Sequence, residues 1–146
     1  MSRFFEDFGE GDTFERAAAS PVTAALIEDY ARLSGDMNRI HMDEDFARQS
    51  PFGRRIAHGL LGLSLASGLL HELGVLAETV VAFSALDWRF RAPVLIGDTV
   101  SLRMRVGKKK SMGPRAGLVV FDASLRNQRG ETVQEGTWSL TVKKKA

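Results

Sequence analysis

The stretch Ala57-His58-Gly59-Leu60-Leu61-Gly62-Leu63-Ser64-Leu65-Ala66-Ser67-Gly68-Leu69-Leu70-His71-Glu72-Leu73 decides the fold. It reads as one helix, apolar all round. A surface helix carries a polar face, and this one shows none before Glu72, so it is expected to be covered on nearly every side. Gly59, Gly62 and Gly68 weaken it as an isolated helix, which points to close approach of neighbouring backbone. The longest uncharged run, Ile56 to His71, falls short of the roughly 20 residues a bilayer span needs. The segment is therefore a buried helix, and no membrane span is expected.

Downstream of it the period changes from helix to strand. Val80, Ala82, Ser84, Leu86, Trp88 and Phe90 alternate with Val81, Phe83, Ala85, Asp87 and Arg89. Val100, Leu102, Met104 and Val106 alternate with Ser101, Arg103 and Arg105. Leu118 to Arg126 and Thr132 to Val142 give two more strands, and short turns between consecutive strands imply an antiparallel meander. Upstream, Gly9-Glu10-Gly11-Asp12 is a turn before a short strand near Phe14. A helix over Val22 to Leu33 then ends at Ser34-Gly35, glycine being favoured just past a helix end. The economical way to bury an apolar helix and a long sheet is to curl the sheet around the helix. The expected class is α+β, a hot-dog arrangement in one domain over residues 1–146. Its exposed sheet edges invite pairing with a second copy.

Composition narrows the functions. The chain has 146 residues, 44% of them apolar and 26% charged, in proportions that suit one globular domain. There is no cysteine, so disulfides, thiolate metal sites and a cysteine nucleophile are excluded, and a reducing cytoplasm fits. Net charge is +2. The basic runs Lys108-Lys109-Lys110 and Lys143-Lys144-Lys145 are read as a solvated hairpin end and a tail, which argues against nucleic acid. A nucleotide-bearing ligand whose phosphates meet one of them is the weaker alternative. The acidic N-terminus lacks the apolar core of a signal peptide.

The chemistry is concentrated in Ser34-Gly35-Asp36-Met37-Asn38-Arg39-Ile40-His41-Met42-Asp43, a loop leaving a helix. A carboxylate and an imidazole five residues apart on a curved segment can hold one water between them and move its protons. Asp36 and Asn38 can equally serve only as Asx turns. His58-Gly59 opens the buried helix, where unpaired N–H groups and partial positive charge face outward. The Gly59 amide can stabilise a developing oxyanion, or glycine there only eases a crowded start. Leu60, Ser64, Ser67 and His71 form one stripe. Its hydroxyls either line a site or bond back to their own helix. Asp36, His41 and Asp43 are close in sequence, but no helical histidine pair at ligand spacing exists, so no metal is expected.

Gly35-Asp36-Met37-Asn38-Arg39-Ile40-His41 resembles the G-D-x-N-P-x-H signature of the MaoC-like dehydratases, the R-specific enoyl-CoA hydratase family. The agreement extends through Asp43, Phe46-Ala47, Phe52-Gly53, Ile56-Ala57-His58-Gly59 and the serine-rich helix to Leu70. Glu6-Asp7, Gly9 to Asp12, Phe90 to Val94 and Gly97-Asp98-Thr99 also match. The resemblance implies a hot-dog dimer or higher oligomer. It implies a trans-2-enoyl-CoA substrate, or its 3-hydroxy product, with CoA present only as part of the substrate and no cofactor. Asp36 and His41 match the catalytic pair, Gly59 the residue whose amide binds the thioester carbonyl, Ser67 a helix serine lining the site, and Asn38 the motif asparagine. Arg39 replaces the motif proline. It gives up rigidity and adds a charge, and is read either as a tolerated surface residue or as a ligand for a CoA phosphate or an acyl carboxylate. Thioester hydrolysis and non-catalytic acyl-CoA binding are the rival functions, because fold alone does not separate them.

Overall fold

The computed structural model describes residues 1–146. A short 3₁₀ turn at Phe5–Asp7 precedes strand β1 (Thr13–Ala17). Four helices follow: α1 (Ala24–Ser34), α2 (Arg39–Met42), α3 (Glu44–Arg48) and α4 (Gly59–Glu72). Strands β2 (Val80–Phe90), β3 (Ser101–Met112), β4 (Ala116–Arg126) and β5 (Thr132–Lys143) complete the chain. No helix is long and apolar enough to cross a membrane.

The five strands form one antiparallel sheet in the order β1-β3-β4-β5-β2. Only β3, β4 and β5 form the expected meander. β2 crosses over to pair with β5 rather than with its sequence neighbour β3, and so becomes an edge. Gly136 makes that edge possible. A Cβ there would overlap the Asp87 carbonyl and stand 3.0 Å from the Trp88 Cα, and backbone cannot move aside as a side chain can.

The alternation read in the sequence produces the core. Leu102, Met104 and Val106 of β3, Val119, Phe121 and Leu125 of β4, and Trp138, Leu140 and Val142 of β5 are buried. Leu61, Ala66 and Leu69 of α4 pack onto this face. Each such aliphatic or aromatic side chain contributes roughly 1.5–3 kcal/mol of burial. Two expectations change here. The helix is not covered on every side within one chain, for Leu60 is 58% exposed and Ser64, Ser67, Gly68 and His71 share its outer face. β2 likewise leaves Val81, Phe83, Leu86 and Phe90 exposed.

The lysine runs are also placed differently. Lys108, Lys109 and Lys110 are strand residues opposite Val120, Val119 and Leu118, so the hairpin runs past them to Met112. Lys109 Nζ donates to the Phe8 carbonyl at 2.6 Å and sits over the Phe5 ring. Lys143 ends β5, Lys144 Nζ bonds Ser111 and the Gly113 carbonyl, and Lys145 pairs with Asp7. These ammonium groups tie the two termini to the sheet.

Candidate active site

The site starts where α1 stops. Gly35 adopts φ 81°, a conformation that suits glycine, and its N–H donates to the Ala31 carbonyl at 2.8 Å. The chain then turns through local bonds. The Asp36 Oδ1 accepts the Asn38 N–H at 3.2 Å, and the Asn38 Oδ1 accepts the Ile40 N–H at 3.3 Å. Asn38 thereby caps α2, a single helical turn inside what the sequence shows as loop. Arg39 is the first residue of that turn, where proline is favoured because the N–H has no helical partner. The cap supplied by Asn38 supports the same turn without proline.

That turn delivers His41, which is nearly buried. Its Nδ1 lies 2.8 Å from the Ile56 carbonyl. A carbonyl only accepts, so Nδ1 carries the hydrogen and Nε2 is left with a free lone pair. The His41 carbonyl accepts a 2.6 Å bond from Arg55 Nε, and Arg55 Nη2 reaches Glu28 of α1 at 3.6 Å. Burial holds the His41 pKa below its ordinary value of 6.5. The Ile56 carbonyl opposes that shift, neighbouring His58 reinforces it, and Asp36 opposes it. His41 is therefore a neutral base at neutral pH.

His58, at the N-cap of α4, stacks on His41 with ring centroids 3.9 Å apart. Asp36, His41 and His58 each bring a donor atom within 4.8 Å of the others. A metal ion would meet those three donors. Asp43, close to Asp36 and His41 in sequence, lies outside this group: it caps α3 through the Phe46 N–H and pairs with Arg39. His41 and His58 each already give one ring nitrogen to a backbone carbonyl.

Immediately after His58, α4 begins at Gly59 without a side-chain cap. The first helical N–H with an intrahelical acceptor is that of Gly62, to the His58 carbonyl at 3.2 Å. The amides of Gly59, Leu60 and Leu61 thus have no partner within the helix. Gly59 lines a pocket of about 370 Å³ with Ile56, Phe90, Pro93, Val94 and Gln134. Gln134, fully buried, accepts from Trp88 Nε1 at 2.9 Å and donates to the Gly59 carbonyl at 3.0 Å. It fixes the start of α4 to the sheet.

The remaining candidates sit elsewhere. Ser67 Oγ donates to the Ser64 carbonyl at 2.7 Å, and Ser64 Oγ to the Leu60 carbonyl at 2.8 Å. Ser67 lines a separate groove of about 340 Å³ with His71, Leu76, Val80 and Phe83. The Arg39 guanidinium lies 2.9 Å from Asp43 and 4.5 Å from the Phe46 ring centre. Asp43 occupies Nε and Nη2 and leaves Nη1 of this exposed side chain for a ligand anion. Sequence reasoning missed Arg55 and the His58 imidazole. The only signal was their place beside Gly59, because their partners lie 14 and 22 residues upstream.

Comparison with known proteins follows the same geometry. Residues 7–124 match the MaoC like domain. The chain is 35% identical over 105 residues to a 3-hydroxybutyryl-CoA dehydratase of Methylorubrum extorquens, covering 72% of this chain and 64% of that protein. It is 35% identical to Protein MaoC of Klebsiella aerogenes over 73% of this chain, and spans only 31% of that protein. These two relatives are thus covered over less than two thirds of their length. An (R)-specific enoyl-CoA hydratase of Rhodospirillum rubrum is 32% identical over 95% of this chain and 91% of its own. The crystal structure of a MaoC-like dehydratase from Rhodospirillum rubrum superposes with TM-score 0.87 at 27% identity, covering 99% of both chains. A Mycobacterium tuberculosis protein described as a double hotdogfold superposes at TM-score 0.85 and 19% identity over 99% of this chain and 45% of that one, which supports the hot-dog fold alone.

Proposed function

The chain belongs to the MaoC-like dehydratase family, and on that premise we propose that it reversibly hydrates a trans-2-enoyl-CoA to a 3-hydroxyacyl-CoA. The observation that carries the reading is the convergence of the Asp36 carboxylate and the His41 imidazole, with its free Nε2, on His58, the residue that the unpartnered amides of α4 follow directly in sequence. One water sits between Asp36 and His41. Its oxygen forms a bond to C3 of the enoyl group as its O–H bond breaks, and the pair of groups relays a proton to C2. Charge building on the thioester oxygen is met by the Gly59 N–H and the positive end of α4. Dehydration is the same path reversed. The pocket beside Gly59 supplies apolar wall for the acyl group. Asn38 shapes the catalytic loop, while Ser67 lines a separate groove and is given no part in this step. The working unit is a homodimer, which would cover the exposed side chains of β2 and the outer face of α4.

The test is crotonyl-CoA with the purified protein, followed by ultraviolet absorbance of the conjugated thioester and by thiol release. Loss of absorbance without free thiol is expected, with Asp36→Asn and His41→Ala each lowering kcat by at least ~100-fold. Free thiol would establish thioester hydrolysis instead. Tight binding without turnover of straight, branched or dicarboxylic enoyl-CoAs would establish a binding protein.

A further inference from the structure

The loop that carries Asp36 is held to the rest of the molecule by one hydrogen bond. Every other hydrogen bond made by residues 35–38 reaches no more than four positions along the chain: to Ala31, Ser34, Gly35, Asp36, Ile40 and His41. The exception joins His58 Nε2 to the Asp36 carbonyl at 2.9 Å, across 22 residues. Asp36 itself is exposed, while His58 is only 2% exposed.

The state of the His58 ring follows from its surroundings. The Asp36 carbonyl can only accept, so Nε2 carries the hydrogen. Nδ1 is buried and has no partner. A proton there would be a buried donor with no acceptor, beside a second imidazole 3.9 Å away. Two neighbours confine the ring, His41 stacked on it at 27° and Tyr30 in an edge contact at 4.9 Å. His58 is thus an immobile Nε2–H donor at the first turn of α4, next in sequence to Gly59.

We infer that His58 is a positioning residue: its Nε2–H clamps the Asp36 backbone to the start of α4, so that the carboxylate, His41 Nε2 and the Gly59 amide keep one fixed geometry. This rests on the hydratase reading for its effect on rate, though the clamp itself stands apart from it. Without the clamp the loop keeps its local turns but loses its register against His41. A displacement near 1 Å at a reacting group lowers rates by about 100-fold.

Two substitutions separate the hydrogen bond from the packing. His58→Gln keeps an amide N–H at about the reach of Nε2 and loses the ring. His58→Phe keeps a ring between Tyr30 and His41 and loses the donor. With crotonyl-CoA, His58→Phe is expected to lower kcat about 100-fold with KM within about threefold, and His58→Gln to recover most of that loss. Equal loss in both variants, or full kcat in a folded His58→Phe, would overturn the clamp.

Two readouts need no turnover. Histidine-selective nitrogen NMR is unambiguous in a chain with three histidines, and should find a proton on His58 Nε2. Amide exchange at residues 35–38 should quicken in His58→Phe and not in His58→Gln. A His58 that lacks a proton on Nε2, a Zn²⁺ ion binding its Nε2, or unchanged exchange in His58→Phe defeats the inference even if hydration is confirmed. If no enoyl thioester reacts, the function fails while these two readouts still decide the clamp.

Discussion

Gly62→Ala should destabilise the protein, although helix propensity alone favours the change. Alanine in place of glycine inside α4 gains about 1 kcal/mol. Against that, a Cβ on Gly62 would overlap Gln134 Nε2 and stand 3.0 Å from its Cδ and 3.2 Å from its Oε1. Gln134 is 1% exposed and bonded at both ends, to Trp88 and to the Gly59 carbonyl, so it cannot swing into solvent. Forced overpacking costs about 1–3 kcal/mol, and breaking a buried amide's bonds costs about 1–3 kcal/mol more. The net is a loss of about 3 kcal/mol, or ~10 °C in Tm for a chain of this size. Thermal and urea melts measure it. Two tryptophans make the indole N–H signals easy to assign, and that of Trp88 should shift when its acceptor moves. In a Gln134→Ala background the obstacle is gone, so the same glycine change should there be neutral or stabilising. A Gly62→Ala protein as stable as the native one, or an equal loss in both backgrounds, would refute the reasoning.

Two further outcomes follow from the site and the edge. The low pKa of His41 puts the acid limb of kcat/KM below pH 6.5, the rate falling as His41 takes a proton. The linked stability has the same sign: it is present above the unfolded value and lost as pH falls through the folded one. A limb centred at or above 6.5 would contradict the buried, singly bonded imidazole. The exposed β2 edge predicts a dimer in sedimentation that Val81→Asp loosens at least tenfold, and a native protein fully active as a monomer would exclude it.

What the sequence made legible was local. The helix end at Gly35, the apolar run of α4 and the alternation of β3 and β5 each depend on a residue's own backbone preference or on spacing within one element. What it hid was set by contacts made from far along the chain. Alternation in β2 shows a strand but not its neighbour, and the pairing found with β5 depends on Gly136, whose missing Cβ admits the Asp87 carbonyl. The charge of Lys109 suggests solvent, yet the Phe8 carbonyl and the Phe5 ring hold it within a strand. The motif from Gly35 to His41 shows an acid and a base, while the groups that orient them, Arg55 and His58, lie beyond it. The apolar count of α4 likewise shows that the helix needs covering, but one chain leaves Leu60 and its stripe open. A second copy paired along β2 would cover that edge, and the covering predicted for the helix is recovered if the folded unit is two chains that also bury the outer face of α4.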